Sequence, residues 1–174
     1  MTVAEFEKLP APPGGYYELR HGEAVLVPPP QKLHNRVRRR LFLLLEARLR
    51  SGGYVDVEVG FRPAPEHNIL VADVAFVSAE RWAAIGDHEW LSGSPELVIE
   101  VLSPSNSAKE MNDKEQLCLG SEGQQFWAVD PDLRLVKVTT RDGLTRTYRG
   151  GATISLADFG GETITVDSIF EAKS

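Results

Sequence analysis

Two carboxylates stand where carboxylates are costly. Asp73 lies within Ile69-Leu70-Val71-Ala72-Asp73-Val74-Ala75-Phe76-Val77 and Glu100 within Glu96-Leu97-Val98-Ile99-Glu100-Val101-Leu102. Both runs are of strand length and almost wholly apolar, the pattern of strands buried on both faces. An unpaired carboxylate in such a place is strongly unfavourable. Singly, each has an ordinary explanation: Asp73 could pair with an arginine, and Glu100 could accept backbone N–H groups at a strand end. Together, if their strands are adjacent, they point to a shared divalent cation, because converging carboxylates are the hard oxygen ligands that magnesium takes. The two are expected to converge within reach of one ion, at ~2.0–2.6 Å once it is bound.

Lys114 is the third anomaly. Met111, Lys114 and Cys118 recur at three- and four-residue spacing with Leu117 alongside, so the lysine falls on the helical stripe that should face a sheet. Either its stem snorkels outward, or its ammonium lies beside the metal and a scissile phosphate. There it would orient the attacking water or stabilise charge on the phosphate. On the second reading, Lys114→Ala is expected to lose activity and keep the fold. Nucleophilic hydrolase chemistry has no comparable support, since Ser103 lies in no nucleophile elbow and Cys118 has no evident base.

Stepping along the chain gives the elements that must position these groups. Tyr16–Arg20 and Glu23–Val27 flank His21-Gly22 as a tight hairpin, and Pro28-Pro29-Pro30 ends the second strand. Leu33, Val37, Leu41, Leu44, Leu45 and Leu49 mark an amphipathic helix ended by Ser51-Gly52-Gly53. Tyr54–Phe61 alternates apolar and acidic residues as a strand with one wet face. Ser103 to Ser107 supplies helix-start chemistry for a helix reaching about Leu119. Phe126–Val129 and Leu133–Val138 form a second hairpin about Asp130-Pro131-Asp132. Short strands are expected at Leu144–Tyr148 and Thr163–Val166. The fold class is α+β: a mixed β-sheet flanked by helices, with an N-terminal hairpin and a C-terminal β extension.

At 174 residues the chain has the length of one domain, taken as residues 1–174, able to bury roughly 70% of its unfolded surface. No apolar run approaches the ~20 residues of a membrane span, and Met1 to Lys8, carrying Glu5 and Glu7, is no signal peptide. The single cysteine fits a reducing compartment, so the cytoplasm is expected. Net charge is −6, which confines any nucleic-acid contact to a local patch. The candidate patch is the helix start, where Arg36, Arg38, Arg39 and Arg40 either meet phosphates or form a solvated face.

The series Tyr17-Glu18-Leu19 with Gly22, His34 opening a helix, Asp73 in its strand, Pro95 to Ser105, Lys114, and Phe126-Trp127-Ala128-Val129-Asp130-Pro131 resembles the Uma-two family of restriction endonucleases. The resemblance spans nearly the whole chain and is most specific over Pro95–Ser105 and its spacing to Lys114 and Trp127. It implies a restriction-endonuclease-like core of the PD-(D/E)XK nuclease superfamily and a magnesium- or manganese-dependent hydrolysis of DNA phosphodiester bonds. By that resemblance Asp73, Glu100 and the carbonyl of Val101 hold the metal. Lys114 takes over from the superfamily's usual lysine, whose position is Leu102 here, and Glu18 and His34 line the same cleft. Glu18 could equally brace its hairpin, and His34 cap its helix. The chain departs from the family pattern at Ala72, Cys118, Glu122-Gly123 and Gln125. The alternative is a nuclease-like fold without turnover, kept as a nucleic-acid-binding or assembly module. A homodimer is the arrangement expected where both strands of a duplex are cut.

Overall fold

A capping box between Thr2 and Glu5 starts the short helix α1 (Val3–Phe6) in the computed structural model, which describes residues 1–63 and 67–171. Strands β1 (Tyr16–Arg20) and β2 (Glu23–Val27) then pair antiparallel as the expected hairpin. Their turn needs positive φ at both central residues, met by His21 at 48° and Gly22 at 80°. The leucine stripe becomes α2 (Lys32–Leu49), burying Val37, Leu41, Leu45 and Leu49 at four-residue intervals. Gly53 follows where only glycine fits, because a Cβ there would lie 2.2 Å from the carbonyl of Val77. It opens β3 (Gly53–Arg62), followed by β4 (Leu70–Ser78), α3 (Ala79–Ala83), β5 (Leu91–Ser92) and β6 (Leu97–Val101). After these come α4 (Ala108–Leu119), β7 (Gln125–Asp130), β8 (Leu135–Thr140), β9 (Thr145–Arg149), β10 (Thr153–Ser155), β11 (Thr163–Thr165) and α5 (Val166–Phe170).

The main sheet has seven strands in the order β5-β3-β4-β6-β7-β8-β9. β6 and β7 are parallel and joined through α4, whereas β3–β4, β4–β6, β7–β8 and β8–β9 are antiparallel. Helix α2 covers one face, its leucines packing with Ile99, Trp127 and the C-terminal residues Ile154 and Ile169. On the other face Cys118 and Leu119 of α4 pack with Phe61, Leu70, Val98 and Phe126. This is the mixed sheet flanked by helices that the sequence led us to expect. Along β6, Leu97, Ile99 and Val101 belong to the α2 side and Val98 to the α4 side, so the two-residue period puts Glu100 on the α4 side.

The pleat changes hands at one place. On β4, Leu70 and Ala72 join the α4-side core, and so do Ala75 and Val77, while Val74 and Phe76 join the α2-side core. Strict alternation would keep Ala72 and Val74 on one face. The break falls at Asp73. Across from it on β3, Glu58 holds a φ of 54°, and the register stays continuous on both sides, Val57 facing Val74 and Val59 facing Ala72. Asp73 thus leaves both apolar layers.

Strand ends differ from the sequence reading by a residue or two, most clearly at β8, while α4 follows Ser107 as expected. β8 starts at Leu135 instead of Leu133, because Asp130 Oδ1 accepts the N–H groups of Asp132 and Leu133 and Arg134 adopts a φ of 51°. α4 starts at Ala108: Ser107 and Glu110 form its capping box, while Ser103 and Asn106 close a turn of their own. The C-terminal extension divides, β9 joining the main sheet and β10 pairing with β11 as a separate ribbon. Among the described residues no helix is long and apolar enough to cross a membrane.

Candidate active site

Continuing the β4–β6 register by one step beyond the pair Val74–Ile99 sets Asp73 opposite Glu100. Neighbours so placed present their side chains together. Asp73 Oδ2 accepts the N–H of Val101 at 2.8 Å and lies 3.0 Å from His34 Nε2 on α2. From the other layer, α4 brings Lys114 Nζ to 2.9 Å from Glu100 Oε1. Lys114 also donates to the carbonyl of Val71 at 2.7 Å and to Glu18 Oε1 at 3.0 Å. Glu18 is wholly buried, accepts the Val71 N–H at 2.9 Å, and takes Arg20 Nε at 2.8 Å on its other oxygen. Arg20 reaches on to Glu110 at 3.1 Å. All of these side chains line one cavity of about 490 Å³ between the β1–β2 hairpin, α2 and the Ser103–Asn106 turn, and Val71 lies behind it.

Burial is the largest single influence on each group of this cluster, but it prevails only at Glu100. It pushes the Glu100 carboxyl well above the usual carboxylate range, against the pull of Lys114 and with the added repulsion of Asp73 and Glu18. Burial also opposes the Lys114 ammonium, but Glu100, Glu18 and Tyr16 outweigh it and the net shift is upward. Glu18 pays the burial penalty too, yet Lys114, Arg20 and the Val71 N–H hold it below the ordinary glutamate value. The balance favours the ammonium form of Lys114 and the carboxylate form of Glu18. Glu100 is the strained member.

The donor set fits a hard divalent cation. Glu100 Oε1 is buried against the Lys114 ammonium at 2.9 Å, with no well-aligned hydrogen bond from another described group. A cation between Glu100 and Asp73 would relieve both the repulsion and the missing bond. Among the described residues no three His, Cys, Asp or Glu side chains form a ready metal cage. The reason is visible: His34 is engaged with Asp73, and Glu18 with Lys114, Arg20 and Val71. The carboxylates of Asp73 and Glu100 remain, and so few protein ligands suit an ion that keeps several waters.

The sequence pattern of the family described as Uma2, "Putative restriction endonuclease", matches residues 3–167. The chain belongs to the Uma2 family. In fold it is similar to the crystal structure of "a putative nuclease belonging to DUF820" from Anabaena variabilis, with a TM-score of 0.84. The two sequences are 20% identical, and the match covers 98% of this chain and 97% of the other. No curated protein matches the sequence.

In this Uma2 chain the fold brings all five sequence-derived candidates, Glu18, His34, Asp73, Glu100 and Lys114, to one cavity with Val101. Glu18 does more than brace its hairpin, and His34 does not cap α2, whose N-cap residue is Gln31. Tyr16, Arg20, Arg38, Glu58 and Glu110 line the same cavity and were not foreseen as a group. Alternation along β1 could have found Tyr16 and Arg20, which flank Glu18 on its face. Only Arg38 of the arginine cluster reaches the cleft, one helical turn from His34, and it pairs there with Glu58 at 2.7 Å. Arg40 turns away to the carbonyl of Ser168, and Arg36 and Arg39 are exposed outside the cavity lining. The expected basic surface is thus dispersed around the helix.

Proposed function

We propose that this cleft is the active site of a divalent-metal-dependent endonuclease that hydrolyses DNA phosphodiester bonds, within a single nuclease domain. One observation carries the reading: two carboxylates from neighbouring strands line one cavity, with a buried ammonium against one of them. Asp73, Glu100 and the carbonyl of Val101 would hold Mg²⁺ or Mn²⁺, which when bound supplies Lewis acidity and a water acidic enough to attack. His34 orients the Asp73 carboxylate through Nε2, and the Val101 N–H fixes the same oxygen. Lys114 keeps its proton, steadies Glu100 and presents positive charge for the phosphate oxygens. Glu18 holds Lys114 from behind and is in turn held by Arg20. A homodimer would suit duplex cleavage, each copy supplying one such cleft.

The test is cleavage of plasmid and single-stranded DNA by purified protein with Mg²⁺, Mn²⁺ or a chelator. Metal-dependent cleavage is expected, falling by ~10²-fold or more in Asp73→Asn as charge stabilisation at the reacting centre is lost, with weaker ion binding in calorimetry. A protein that binds the ion and DNA but cleaves neither substrate would favour the binding or assembly module instead.

A further inference from the structure

The cleft is poor in free positive charge. Its lining carries five carboxylates, Glu18, Glu58, Asp73, Glu100 and Glu110, against three cations, Arg20, Arg38 and Lys114. Each cation is already paired: Arg20 with Glu18 and Glu110, Arg38 with Glu58, Lys114 with Glu18 and Glu100. Duplex binding draws on cations that neutralise a track of phosphates, and none is spare here among the described residues of the lining. What the cleft offers beside its polar floor is an apolar wall. The β1–β2 register sets Tyr16 against Val27 and Glu18 against Val25, so Tyr16, Val25 and Val27 share the face that carries Glu18. Pro28, Pro29 and Pro30 extend that wall outward, exposed and lining the same cavity.

In a duplex the base faces are stacked inward, and such a wall would meet only sugar and phosphate. A single strand presents base faces, which pack on aromatic and apolar side chains independently of sequence. We infer that the cleft takes single-stranded DNA, or the unpaired part of a branched DNA, with bases against Tyr16, Val27 and the proline run while the phosphate lies over Asp73 and Glu100. The inference rests on the reading of this cleft as a phosphodiesterase site.

The experiment separates the two claims by measuring binding and cleavage independently. Binding of hydrolysis-resistant phosphorothioate oligonucleotides, single-stranded and as the duplex of the same sequence, is read with Mg²⁺ present, and cleavage is read on the ordinary oligonucleotides. A preference for the single strand of about tenfold or more is expected, from one or two packed bases. Tyr16→Ala and Pro29→Ser should each erode it, and Pro29→Ser should leave ion affinity unchanged in calorimetry. Pro29 is exposed, so its variant does not depend on hairpin stability. Equal or tighter duplex binding overturns the inference even if both DNAs are cut, and leaves the nuclease reading standing. A single-strand preference without cleavage of either DNA upholds the inference and removes the nuclease reading. A preference untouched by both variants overturns the role of the wall.

Discussion

Lys114 is the residue on which the site balances. Its ammonium lies between Glu18 and Glu100 with the Val71 carbonyl as third partner, and only 7% of its side chain is exposed. Removing one member of a buried ion cluster leaves the others uncompensated, which costs about 3–5 kcal/mol. Lys114→Ala should therefore lose that much stability in urea unfolding as well as activity, a revision of the expectation that the fold would survive unchanged. A loss below about 1 kcal/mol, the range of an exposed pair, would show that solvent reaches the cluster. Glu18 and Glu100 respond to pH in opposite senses. Glu18 is held below its ordinary value, so the stability it contributes is full above the normal glutamate range and drains as pH falls through the lowered value. Glu100 is raised, so its contribution is full below that range and is lost as pH climbs toward the raised value. Glu18→Gln should flatten the acid limb of the stability–pH curve, read by urea midpoints across pH, and an unchanged acid limb would place the titrating groups elsewhere.

At the scale of elements, the reversal of the pleat at Glu58 and Asp73 is what turns a strand carboxylate out of two apolar layers. The left-handed φ of Glu58 is unfavourable for a residue with a Cβ, by roughly 1–2 kcal/mol. Its ion pair with Arg38 returns little, because 55% of the Glu58 side chain is exposed. Glu58→Gly should accordingly leave stability unchanged or raise it by up to about 1 kcal/mol after the entropy of glycine is counted. A clear loss in the urea midpoint would mean that the pleat reversal depends on the Glu58 side chain and not on its backbone. The crossover through α4 matters equally, since the Ser107 and Glu110 capping box fixes where the helix begins and hence which residue faces Glu100.

For the whole molecule, with a net charge of −6 and a cleft whose cations are all paired, the proposed function requires that affinity for DNA depend on the divalent ion and little on general electrostatics. Binding should be weak in chelator, and with Mg²⁺ the log–log salt slope should be shallow, about −2 for two or three single-strand phosphates at ~0.7 each. Replacing Arg36 and Arg39 together should leave that slope unchanged, because both lie outside the cavity lining. A flatter slope in the Arg36 and Arg39 variant would restore the outer face of α2 as the DNA surface.

What the sequence determined by itself was local and periodic. Asp73 and Glu100 declared themselves because a charge inside an apolar strand is anomalous without any knowledge of the fold, and Lys114 because a cation on a buried helical stripe is equally so. The leucine stripe of α2, the two hairpins and the strand runs were legible because their periods of 3.6 and 2 follow from backbone geometry. Only the tertiary structure decided what those charges do to one another. No spacing in the sequence says that Glu18 reaches Lys114 across 96 positions, or that His34 meets Asp73 across 39. The pleat reversal was hidden for a related reason, since Glu58 continues the alternation of its strand in letters while its backbone departs from it. The arginines of α2 read as one basic cluster in sequence, and 100° per residue of helical rotation scattered them, leaving Arg38 alone beside His34.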